Sequence, residues 1–199
     1  MNRLSPNAIA HKISGKVILY NDQFALQKDE IRYGLESLLL TLNQLLLILI
    51  LALPFGILPE ALILYFAHSI LRTFSGGAHF QRYLTCLIYG TLSITLSSLA
   101  IVHFYHTWAA IKPLLIILLT LSFVLVIWKA PVLYKNKGFF TQKQLLRKKC
   151  ISTFLFIFLF IISIIVFNNT SLMYAIWFAL ILQSLTLTKT VYVVFSLFK

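Results

Sequence analysis

Acidic side chains are almost absent from the 199-residue chain, which has five Asp and Glu in all and none beyond Glu60. The rest of the chain therefore cannot supply a carboxylate proton relay, an aspartyl catalyst or a carboxylate cation site, which excludes most pump and carboxylate-enzyme designs. Cysteine is scarcer still. Cys86 and Cys150 cannot build a disulfide framework, and no C-x-x-C or clustered His/Cys spacing offers a zinc site, so neither a metal nor a cofactor is expected. Charged residues make up 11% of the chain against 60% hydrophobic ones, with a mean hydropathy of +0.91. A water-soluble domain of this size cannot cover that much apolar side chain with polar surface, so the composition reads as an integral membrane protein.

What is abundant is apolar sequence in long runs. They cover about 37–53, 57–72, 83–104, 109–128, 150–168 and 171–188, each close to the length that a hydrocarbon core of roughly 30 Å demands. Pro54, Gly56 and Pro59, then Gly76 and Gly77, then Pro131 and Gly138, then Asn168-Asn169-Thr170 mark the breaks. The expected fold is all-α: a single membrane-embedded domain over 1–199 with a six-span core over 36–190. An amphipathic region over 1–35 lies at the cytoplasmic face, since it mixes charges with apolar residues at helical spacing and lacks the apolar core of a signal peptide. The tail after Lys189 is too short to cross and reads either as an interfacial helix or as an extension of the sixth span.

The net charge of +12 would suggest nucleic acid in a polar chain. Here the cations track topology instead. With the N-terminus inside, sixteen of the seventeen Lys and Arg fall in cytoplasmic segments and only Lys112 falls outside, as the positive-inside rule describes. Both termini are then cytoplasmic, in a multi-pass protein of the cell membrane. Membrane lipids are the expected partner and nucleic acid is not. Seven of the cations lie between Lys129 and Lys149, a basic cytoplasmic loop. No internal repeat suggests the inverted halves of a transporter.

The chemically unusual stretch runs from Arg72 to Cys86, on the cytoplasmic side between the second and third spans. It holds Gly76-Gly77, His79, Arg72, Arg82 and one of the two cysteines. A thiol attacks a carbonyl as the thiolate, and a neighbouring imidazole in cationic surroundings is the ordinary means of producing one. Geometry sets a condition on the pair. On a continuous helix His79 and Cys86 share a face but stand about 10 Å apart along the axis, so the chain near His79 must leave the helix, which the diglycine allows. The bland alternative remains open: Cys86 as a small packing residue, His79 as an interfacial residue and the diglycine as a plain turn.

The pattern Arg72-x4-Gly77-x-His79-x6-Cys86 resembles the signature of the accessory gene regulator B (AgrB) family, membrane cysteine endopeptidases that process quorum-sensing pheromone precursors. Arg32-x-Gly34-x-Glu36 is similar to that family's start of the first span, and Lys129-Ala130-Pro131 with the basic run to Lys149 is similar to its intracellular loop. The resemblance implies that Cys86 is the nucleophile and His79 the base. Cleavage of a small AgrD-like precursor peptide near its C-terminus would leave a thioester on Cys86, and an internal Cys or Ser of the peptide would then take the acyl group to close a thiolactone or lactone ring. Arg72 and Gly77 match positions tied to activity. Arg72 would raise the local positive potential or bind the precursor's tail, or else is a snorkelling, topology-setting cation.

Glu36 is a candidate to orient His79, with a simple pairing to Arg32 as its alternative. Lys135, Lys137 and Lys143 are candidates to dock an acidic region of the precursor. His68 and Cys150 read as packing residues, and His103, His106 and Trp108 as outer-face anchors. A transporter or peptide exporter without catalysis and a silent membrane anchor are the competing functions. A homodimer is left open.

Overall fold

A computed structural model describes residues 6–20, 28–78, 80, 82–132 and 141–197. The chain divides into two compact units, Met1–Leu47 and Ile48–Lys199. In the first, helix α1 (Pro6–Tyr20) starts on a proline whose fixed φ suits the first helical turn. Helix α2 (Lys28–Ala52) begins in this unit and ends in the second. The sequence reading sets a surface region over 1–35 apart from the first span, whereas α2 runs unbroken from Lys28 through the apolar stretch Gly34–Ala52.

The second unit opens with a turn at Gly56 (φ +64°) into α3 (Leu58–Ser75), which carries Pro59 in its first turn. Then follow α4 (Tyr83–His103), the short α5 (Tyr105–Ala110), α6 (Lys112–Lys129), α7 (Gln142–Phe167), α8 (Ser171–Leu185) and α9 (Lys189–Leu197). Thr141 and Gln144 form a reciprocal capping box at the start of α7, bonding each other's backbone N–H at 3.4 and 2.8 Å. That box starts the helix at Gln142, whereas the sequence reading ends the basic loop at Lys149. Lys143, Arg147, Lys148 and Lys149 therefore stand on the first turns of α7.

The centre of the unit is the α3/α8 pair, whose contact is the most extensive between any two helices; α4, α6 and α7 pack around it. Ser171 donates to Glu60 Oε1 at 2.7 Å where both helices begin, and Gln183 donates to Ser75 at 2.9 Å near where both end. Like ends meet like ends, so α3 and α8 run parallel. Trp177 Nε1 donates to Ser163 Oγ at 2.8 Å, fixing α8 to α7. Leu84, Ile88, Leu92 and Leu96 lie exposed along one side of α4, and α6 and α7 carry similar rows. Such rows suit contact with lipid.

Six crossings are predicted from sequence. Among the described residues, four segments are long and apolar enough to cross a membrane: Gly34–Ala52, α4, α6 and α7. A fifth is added if α8 and α9, bent 78° from each other, count as one span. Helix α3 falls short because Glu60, His68 and Arg72 dilute it, and α8 alone has 15 residues, about 22 Å of rise. Both are inner helices with much of their surface against each other, so neither depends on lipid for the burial of that face.

Candidate active site

At Ser75 helix α3 stops because Gly76 and Gly77 take φ +69° and +133°, values that only glycine adopts without strain. The released chain does not hang free. Val132, just past α6, forms a parallel bridge with Gly76: its N–H donates to Ser75 O at 2.9 Å and its carbonyl accepts from Gly77 N at 3.1 Å. The Ala78 N–H donates to Thr186 O at 2.8 Å. Gln183 Nε2 donates to both Ser75 Oγ (2.9 Å) and Gly76 O (2.7 Å). Arg72 Nη2 donates to Ala78 O at 2.8 Å. Most of the backbone polar groups from Ser75 to Ala78 are thus held from α3, α8 and the segment after α6, and this answers the requirement that buried amides be paired.

The glycines have a second role here. A Cβ on Gly76 would collide with the Val132 carbonyl oxygen, and one on Gly77 with the Thr186 hydroxyl. From sequence, the diglycine reads as a source of freedom; in the fold it permits two close approaches that lock the loop.

Cys86 lies in the first turn of α4, half-buried and outside any disulfide. It packs against a small apolar cluster of Ala78, Phe80 and Phe195, joined by Val191 and Tyr192. Phe80 stacks on Phe195 with ring centroids 3.9 Å apart, and Tyr89 meets both rings at 5.0 and 5.2 Å. Helix α9 thereby lies beside the thiol. The tail leaves α8 at a 78° bend, so it is not a straight continuation of that helix. The Phe80 backbone lies within hydrogen-bonding reach of the thiol, and the Arg72 guanidinium adds its charge to the surroundings.

His79 lies outside the described residues, as do Lys135 and Lys137. Lys143 is exposed. Glu36 belongs to the first unit and pairs with Arg32 at 3.9 Å, and Arg32 also reaches Asp29 at 3.4 Å. Cys150 is exposed on α7 and His68 half-buried on α3. Among the described residues no cluster of His, Cys, Asp or Glu could hold a metal ion. The sequence reading passed over Gln183, Thr186 and Phe195. A buried Gln in an otherwise apolar helix was the one available signal for them.

The fold and this site together define a multi-pass helical membrane protein with a cysteine beside a clamped, glycine-containing loop. The sequence matches the family described as Accessory gene regulator B over residues 7–187. Two Clostridium perfringens proteins align with 90% of this chain and 88% of their own lengths. AgrB-like protein 2 of strain 13 is 35% identical over 192 residues, and the AgrB-like protein of strain SM101 is 34% identical. The chain belongs to the accessory gene regulator B family. No solved structure is similar to it.

Proposed function

We propose that the chain is a membrane cysteine endopeptidase that removes the C-terminal tail of an AgrD-like precursor peptide and promotes closure of its thiolactone or lactone ring. One observation carries the reading: the Cys86 thiol packs against Ala78 and Phe80 of a loop whose backbone is fixed on several sides, by Arg72, Val132, Gln183 and Thr186. Nucleophilic catalysis needs such a preorganised thiol. His79 takes the thiol proton, Cys86 attacks the scissile carbonyl, and the proton passes to the leaving amine. The tail departs and a thioester remains on Cys86. A thiol or hydroxyl within the peptide then takes the acyl group and Cys86 is regenerated. Exchange between two thiols is nearly isoenergetic, so ring closure needs no ATP, but it does need water held back. The apolar wall of Phe80, Tyr89 and Phe195 suits that need.

The loop lies on the cytoplasmic side of a six-crossing chain with both termini inside. Two observations support this. The parallel course of α3 and α8 fits crossings separated by an even number of passes. Within the second unit, the end bearing Ser75, Val132 and Thr186 also carries Arg72, Arg82, Lys129 and the cations at the start of α7, while the opposite end carries Lys112, bonded to Asn169 at 3.3 Å. A positive-inside bias supports a cytoplasmic position for the first end.

Co-expression with an AgrD-like precursor, followed by mass spectrometry, tests the function. Loss of the tail with wild-type protein and an intact peptide with Cys86→Ala is the expected result. Transport of unprocessed peptide would favour the exporter.

A further inference from the structure

We infer that Gln183, in the last turn of α8, is a positioning residue for this active site: its side-chain amide fixes where the diglycine loop stands against Cys86. The inference rests on the endopeptidase reading.

Gln183 is fully buried. Its Nε2 bridges two atoms of the α3 terminus, the Ser75 hydroxyl at 2.9 Å and the Gly76 carbonyl at 2.7 Å. The carbonyl can only accept, so the amide's orientation is set: nitrogen toward the loop and oxygen away from it. That oxygen, Oε1, is buried with no hydrogen-bond partner among the described residues. An unpaired buried acceptor is a standing cost that Leu or Met at this position would not carry. What the position gains from an amide is the donor side, which is directed wholly at the loop.

The loop needs such an anchor. Two successive glycines with positive φ have more accessible backbone conformations than any other pair, so their geometry is set by external bonds. Val132 and Thr186 supply backbone bonds to Gly77 and Ala78, and Gln183 supplies the side-chain bond to Gly76. From Gly76 the chain leads to Phe80, whose backbone reaches the Cys86 thiol. Gln183 touches no reacting atom in this account; it acts through the loop. Sub-ångström placement of this kind shows in turnover more than in substrate affinity.

The test uses the full-length protein in detergent with an AgrD-like precursor peptide, in a Cys150→Ala background so that Cys86 is the sole thiol. Gln183→Leu and Gln183→Met keep the volume and remove the donor. Both should lower kcat by about tenfold to a hundredfold with KM within about twofold, and should change the pH profile of Cys86 alkylation by iodoacetamide. Ser75→Ala, which leaves the Gln183 bond to Gly76 in place, should lose far less. Unchanged kcat in both Gln183 variants would overturn the inference. So would a general loss of thermal stability with an unaltered alkylation profile, which marks a purely structural role. Cleavage surviving in Cys86→Ala would instead overturn the endopeptidase reading, and the positioning role with it.

Discussion

The Arg72 guanidinium donates a 2.8 Å hydrogen bond to the carbonyl oxygen of Ala78, six residues along the chain. The last turn of α3 thus reaches over its own diglycine exit and holds the far side of the loop, against which Cys86 packs. The bond is a structural role; the proposed electrostatic one is open to test by substitution. Arg72→Gln should remove the charge and most of the reach. Arg72→Lys keeps the charge but loses the planar fork, and a charge-assisted bond is worth about 1.5–3 kcal/mol. In a precursor-cleavage assay both should lose activity, Gln more than Lys. Equal activity of Arg72→Gln and wild type would remove Arg72 from the site.

The diglycine makes a sharper contrast. Gly77→Ala forces a φ of +133° on a residue with a side chain and drives its Cβ into Thr186. The backbone strain alone costs about 1–3 kcal/mol. Gly34 lies in α2 with open space around its Cβ position, so Gly34→Ala should be neutral or stabilise by about 0.5–1 kcal/mol. Thermal melting in detergent, read beside cleavage, should rank Gly77→Ala well below wild type and Gly34→Ala at or above it.

Much of this was legible in the sequence. Apolar runs placed α4 and α6 to within a few residues because lipid exposure imposes uniform hydrophobicity on a helix. The runs failed where lipid is not the partner. α3 carries Glu60, His68 and Arg72 because α8 covers it, and α7 begins two turns early because a capping box at Thr141 outweighs the polarity of the basic run. At the site, the span from Arg72 to Cys86 stood out by composition. Gln183, Thr186 and Phe195 did not, because bonds across more than 100 residues of chain leave no local pattern.

Topology is open to direct measurement. In a cysteine-free background, single cysteines at the exposed positions Thr73 and Thr141 should be labelled by a membrane-impermeant reagent only from the cytoplasm, and those at Thr107 and Asn168 only from outside. Labelling of position 73 from outside would place the thiol on the wrong side for a newly made precursor.

The proposal that the basic segment between Lys129 and Lys149 docks an acidic region of the precursor has its own test. Replacing Lys135, Lys137 and Lys143 with Gln, with Arg147, Lys148 and Lys149 retained for topology, should weaken processing and flatten its salt dependence in detergent, since screening acts on exposed charges. An unchanged salt dependence would assign these lysines to lipid.

The central claim is that Cys86 carries the peptide as a thioester. Wild-type protein quenched in acid during turnover, digested and mapped by mass spectrometry should show a precursor fragment on Cys86 that hydroxylamine releases, and none on Cys150. Cys86→Ala should show neither adduct nor cleavage, and His79→Ala should lose nearly as much activity, with little added by the double variant because paired catalytic groups act as a unit. An adduct on Cys150, or a tail still removed by Cys86→Ala, would contradict the account.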